Sequence, residues 1–187
     1  MLPTPSQTVG PFFHIGTDAG FIGRELVAPD HPGAVRVFGN VSDGEGAPVI
    51  DSMIEIWQAN AAGRYAHPED VRDDVPLENG FDGFGRTCTD DEGRYEFVTV
   101  KPGSVPGPGG QAQAPHIDVS VFARGLLKRL VTRIYFPDEA EANEADPVLS
   151  SVDDPEARAA LVAIEEDGGL RFDITLQGDR ETPFFAV

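Results

Sequence analysis

The stretch His116-Ile-Asp-Val-Ser-Val-Phe122 decides the fold. In a β-strand successive side chains project to opposite faces, so Ile117, Val119 and Val121 form an apolar face. His116 and Asp118 share the other face, an imidazole and a carboxylate side by side. Arg94-Tyr-Glu-Phe-Val-Thr-Val100 alternates in the same way, with Tyr95 and Phe97 on one face. So do Leu130 to Phe136 and Leu170 to Leu176, the latter through Leu170, Phe172, Ile174 and Leu176. Ala34 to Asp43 is rich in β-branched residues and ends at the turn signal Asp43-Gly44. Pro48 to Ala59 is an apolar stretch holding Ile54, Ile56 and Trp57.

Turns punctuate these runs. Gly93 closes a tight turn, and Pro102-Gly103 stops the strand that follows it. Ser104 to Pro115 is rich in Gly and Pro and is expected to run as a loop delivering the chain into His116. One helix is expected, with Asp154 as cap, Pro155 at its first position and Ala157, Ala160, Leu161 and Ile164 as one apolar stripe. Strands at short intervals with little helix indicate an all-β chain: a β-sandwich with long loops and one or two short helices. The 187 residues suit a single domain, 1–187.

Composition narrows the function classes. The formal charge of −18 argues against nucleic acid and against an acidic membrane surface. Acidic residues cluster at 138–146 and 153–167, which read as solvated helices and loops. Cys88 is the only cysteine, so an intrachain disulfide and a cysteine-rich zinc site are both ruled out. The first residues, Met1-Leu-Pro-Thr-Pro-Ser-Gln-Thr, lack the basic and apolar regions of a signal peptide, and no run suits a membrane span. A cytoplasmic location is the expectation.

Tyr65, His116 and Asp118 are candidate donors for a hard, oxygen-preferring metal, with His67 two residues from Tyr65. Two other readings of the same residues stand beside this. Polar pairs on one strand face are routine, and Tyr95 reads as a core residue with a hydrogen-bonded hydroxyl. From the residues alone, an autonomous metalloenzyme and a non-catalytic β-sandwich binding module both remain open.

Longer motifs add a resemblance. Ile56-Trp-Gln-Ala-Asn-Ala-Ala-Gly-Arg-Tyr65-Ala-His67 resembles the tyrosine-bearing segment of the intradiol ring-cleaving dioxygenases. Gly85-Arg-Thr-Cys-Thr-Asp-Asp-Glu-Gly-Arg-Tyr-Glu-Phe97, Val100-Lys-Pro-Gly103 and Ala114-Pro-His-Ile-Asp-Val-Ser-Val-Phe122 continue it in the family's order, over essentially the whole chain. Members of that family hold ferric iron with two tyrosines and two histidines. The resemblance places Tyr65 and His116 at two of those positions. It places Val105 and Asp118 at the other two, and Gln113 where the family carries an arginine near its substrate. It therefore implies that Fe(III) belongs to a partner and not to this chain.

The resemblance also implies a role. In heteromeric members an iron-bearing β subunit pairs with a related α subunit, and the active site lies near their interface. Thr4-Pro-Ser-Gln-Thr-Val-Gly-Pro-Phe-Phe-His-Ile-Gly16 and Phe122-Ala-Arg-Gly125 match the α type. By that match Thr8, Gly10, Pro11 and Arg124 line a pocket for an aromatic catechol acid cleaved with O2. Gly10-Pro11 offers a fixed, side-chain-poor backbone to a flat ring, and Arg124 offers charge and donors to an anionic one. Residues 1–33 are expected to form an N-terminal arm packing on the partner subunit in a higher αβ oligomer.

Overall fold

The computed structural model describes residues 3–17 and 23–186. The parts of the expected arm at 1–2 and 18–22 lie outside the described residues. Two sheets pack face to face. The first is built on β1 (Ala34–Ser42), whose one edge pairs antiparallel along its length with β4 (Arg94–Val100). Its other edge takes β10 (Gly169–Arg171) and then β11 (Ile174–Thr175), both parallel, and β9 (Ile164–Glu166) pairs with β10. The second sheet has the order β3 (Phe84–Cys88), β2 (Met53–Trp57), β7 (His116–Phe122), β8 (Leu130–Tyr135), antiparallel throughout. A two-residue ladder joins β5 (Val105–Pro106) to β6 (Ala112–Gln113).

The alternation in the strands explains the core. Val37, Val41, Tyr95, Phe97, Leu170, Phe172 and Ile174 from the first sheet meet Ile54, Ile56, Ile117, Val119, Val121 and Ile134 from the second. Each fully buried aliphatic or aromatic side chain of this kind is worth about 1.5–3 kcal/mol. Tyr95 lies in this core as expected, its hydroxyl donating to the Phe172 carbonyl at 2.5 Å. A smaller cluster of Ala114, Tyr135, Leu149 and Leu161 covers part of the second sheet's outer face.

Several expectations need correction. Leu170 to Leu176 is not one strand. The Phe172 carbonyl presses on Gly39 so closely that a Cβ there would lie 1.9 Å from it. Beyond that point the Asp173 carboxylate, and not a carbonyl, accepts from the Asn40 N–H at 3.0 Å, so the ladder breaks into β10 and β11. The stretch 104–115 is not purely loop, since β5 and β6 pair across the turn at 107–111.

Among the described residues three short α-helices are present: α1 (Pro11–Thr17), α2 (Ala140–Ala145) and α3 (Pro155–Ala160). Asp154 caps α3 as expected, accepting from the Glu156 N–H at 3.0 Å. The helix stops at Ala160, however, and Ile164 belongs to β9, where it is 64% exposed. The acidic cluster at 138–146 is not wholly solvated either. Asp146 is fully buried and accepts from the Ala114, Val148 and Leu149 N–H groups and from the Tyr135 hydroxyl. It pins the entry to β7.

Candidate functional site

Both ends of β7 carry sequence-predicted site residues. At its start, Tyr65 comes from the long loop between β2 and β3. Asn60 shapes that loop: its side-chain oxygen accepts from the Ala62 and Arg64 N–H groups, and its amide donates to the Pro76 carbonyl. Gly63 sits at φ +81°, and a Cβ there would lie 2.2 Å from the Ser104 carbonyl oxygen, so only glycine fits. Asp70 accepts from the Tyr65 N–H at 2.9 Å and pairs with Arg72, which holds its carboxyl well below the usual carboxylate range. The Tyr65 ring stacks on Trp57 at 5.8 Å between centroids, and His67 meets the same indole edge-on at 6.3 Å. These rings line a cleft of about 590 Å³ with Asp70, Arg72 and Pro106.

His116 is buried beside that cleft. Its Nδ1 lies 2.7 Å from the Ala114 carbonyl, an acceptor only, so Nδ1 carries the proton and Nε2 carries the lone pair. Among the described residues Nε2 has no hydrogen-bond partner, and it lies 3.8 Å from an Asp118 carboxylate oxygen. Burial pushes the imidazole below its ordinary pKa, against the opposing pull of Asp118. Burial, then the Asp118 charge, raises the Tyr65 phenol to about 12.

The remaining positions decide the metal question. Val105 is buried and offers no donor atom. Asp118 lies directly opposite Arg133 across the β7–β8 ladder, and the Arg133 Nε donates to it at 2.8 Å. The same guanidinium donates to the Gln113 side-chain oxygen at 2.7 Å. A unit charge about 4 Å from another repels it by about 4 kcal/mol at an effective dielectric of 20, and a trivalent ion feels roughly three times that. Valine in place of a donor, and a guanidinium on the carboxylate, make this set a poor fit for ferric iron. Among the described residues, no group of three His, Cys, Asp or Glu is placed to hold a metal ion.

At the far end of β7 the geometry is different. The Thr8 hydroxyl accepts from the Gly125 N–H at 2.7 Å, so the N-terminal segment is tied to the Arg124 turn. The Phe13 ring of α1 packs on Phe122 at 5.8 Å. Thr8 and Gly10 thus lie on one edge with Arg124, which is far from them in sequence, and Pro11 enters as the backbone that opens α1. Arg124 is 61% exposed, and its Nε is paired with the carboxylate of Asp51. An ion pair at Nε leaves the opposite Nη edge of the guanidinium available to a further acceptor. A Cβ on Gly10 would meet nothing within 4 Å, so nothing else described in this chain demands glycine there. Phe12 and Ile15 are 83% and 68% exposed on α1. Further along, Leu26 and Glu25 pair with Val98 of the chain's own β4.

Arg133 and Asp51 are among the residues of these sites that the sequence does not single out. Arg133 becomes visible only when β8 is set in register against β7. Asp51 precedes β2 with no local signal of its own.

The chain matches the family model described as Dioxygenase over residues 10–178. It is 46% identical to the protocatechuate 3,4-dioxygenase alpha chain of Pseudomonas putida, over 99% of this chain and 97% of that one. It is 44% identical to the protocatechuate 3,4-dioxygenase beta chain of Burkholderia cepacia, over 80% of this chain and 66% of that one. Among solved structures, it superposes on the dioxygenase domain of a dioxygenase–carbohydrate-binding protein fusion from Streptomyces sp. SirexAA-E. That match has a TM-score of 0.60 and 28% identity, over 94% of this chain and 99% of the other. The sandwich, the surviving Tyr65 and His116 and these matches lead to one conclusion: the chain belongs to the intradiol dioxygenase family.

Proposed function

We propose that this chain is the α subunit of a heteromeric protocatechuate 3,4-dioxygenase. The complex cleaves protocatechuate with O2 to 3-carboxy-cis,cis-muconate, a step of cytoplasmic aromatic catabolism in the β-ketoadipate pathway. The observation that carries this reading is the match to an alpha chain over 99% of the sequence. The misfit of Val105 and the Arg133-bound Asp118 to ferric iron supports it. Fe(III) and the oxygen chemistry are assigned to the partner β subunit, where the metal would supply the activation of the catecholate toward O2.

This chain's own part is to bind and orient. Thr8 anchors the N-terminal segment to the Arg124 turn through the Gly125 N–H. Gly10 and the Pro11 backbone present a surface without a side chain to the flat ring. Arg124 directs its Nη edge to the ring carboxylate, a charge-assisted contact. The exposed Phe12 and Ile15 suit burial against the partner, with residues 1–33 as the arm, within a higher αβ oligomer.

Ring cleavage by the chain with its partner tests this. The reading expects activity from the complex and none from the chain alone. It also expects Arg124→Ala to raise KM for protocatechuate by about 10- to 100-fold. Ring cleavage by the lone chain would overturn the subunit assignment, and an unchanged KM would remove Arg124 from the site.

A further inference from the structure

We propose that Arg133 is the resident cation of the former metal pocket, and that its guanidinium, more than the loss of any one donor, keeps the pocket free of metal. This rests on the reading of the chain as the iron-free subunit and assigns that property to one side chain.

Three observations converge on Arg133. Asp118 and Arg133 are exact cross-strand partners, and the guanidinium binds one carboxylate oxygen while the other faces His116 Nε2. Those two acceptors, 3.8 Å apart, have no proton to share and would attract a cation or a donor between them. The guanidinium supplies the positive charge from the adjacent oxygen, so no free ion is needed. The second observation concerns position 113. Where the resemblance places an arginine, Gln113 accepts a hydrogen bond from Arg133. The pocket thus holds a guanidinium, carried by β8.

The third observation is the state of the surviving donors. Among the described residues His116 retains a free Nε2 lone pair, and Tyr65 lines the adjoining cleft against Trp57. Both are competent ligands held in place by intact scaffolding, the Asn60 turn and the Asp146 anchor. A pocket with two preserved donors stays metal-free most economically if a fixed cation repels the ion. The site is therefore latent: restoring one donor is insufficient while Arg133 is present.

Cobalt(II) uptake by the full-length chain tests this, read by equilibrium dialysis and by visible ligand-field bands. The variants are wild type, Asp118→His, and Asp118→His with Arg133→Gln. The double variant is expected to bind about one ion per chain with three protein donors, at least tenfold more tightly than Asp118→His alone. Equal binding by Asp118→His alone would overturn the role of Arg133. So would a double variant that stays folded by circular dichroism yet binds no better than wild type. Thermal melts provide a second arm that needs no metal. Arg133→Gln should lower Tm more than Arg133→Gln combined with Asp118→Asn, because the double leaves no unpaired charge. Additive losses would contradict the pairing. Iron at unit stoichiometry in the wild-type chain would instead sink the subunit reading itself, so the two failures are distinguishable.

Discussion

The two ends of β7 lie roughly 20 Å apart, from His116 to Phe122 at about 3.3 Å per residue, and they differ in what their polar groups are doing. At the start, Asp118, Arg133 and Gln113 satisfy one another, and Tyr65 packs flat on Trp57. At the end, Arg124 is 61% exposed with Asp51 on its Nε, and among the described residues nothing lies within 4 Å of a Cβ at Gly10. The first end keeps Tyr65 and His116 of the donor set that the resemblance implies, but it has closed on itself. The second has no family donors and is open. A subunit that has lost its metal can still contribute to catalysis if its free valences are moved to the edge that meets a partner.

Substitutions at each end should separate the two roles. The largest effect is expected from Gly63→Ala, which forces a Cβ into the Ser104 carbonyl at φ +81° and should cost about 3 kcal/mol of stability. It breaks only the closed end, so thermal melting should fall while KM of the folded complex holds. A parallel rise in KM would mean that the two ends are coupled. Asp51→Asn should act at the open end. Releasing the Arg124 Nε should raise KM about 3- to 5-fold, leaving kcat and iron content unchanged. A lowered KM would show that Asp51 competes with the substrate.

Gly10→Ala sharpens the contrast further. It should leave the lone chain's Tm unchanged and raise KM of the complex by about twofold. A lower Tm would place the demand for glycine inside this chain. The smallest effect is a titration. The Tyr65 phenol is raised in the fold, so the folded state binds the extra proton between its ordinary value near 10 and about 12. Its contribution to stability is complete below pH 10 and lost as pH rises through 12. Ultraviolet difference spectra against Tyr65→Phe should show no phenolate from this residue near pH 10. A Tyr65 phenolate at neutral pH would mean a cation sits against it.

Much of this was legible in the chain and some was not. Period-two alternation placed Ile117, Val119 and Val121 in the core and His116 with Asp118 opposite, because a strand face is a local property. Thr8 and Arg124 were paired through family motifs, and the Thr8–Gly125 bond brings them together. The sequence could not show that Arg133 faces Asp118, because register is set by the turn and by packing, not by either strand alone. Asp146 looked like one more acid in a charged run, yet it is a buried anchor. Charge counts do not report which carboxylate the backbone encloses. The α3 stripe failed at Ile164 because the chain turns into β9 after Leu161, where the 3.6-residue period no longer applies.

The central claim is that this chain is an iron-free subunit whose open edge serves a partner's site. Iron content with the visible spectrum, taken on the chain alone and on the complex with an iron-bearing β subunit, tests it most directly. The account predicts a colourless lone chain with no bound iron, and a coloured complex with about one iron per αβ pair. A lone chain carrying about one ferric ion with a tyrosinate absorption band would contradict it.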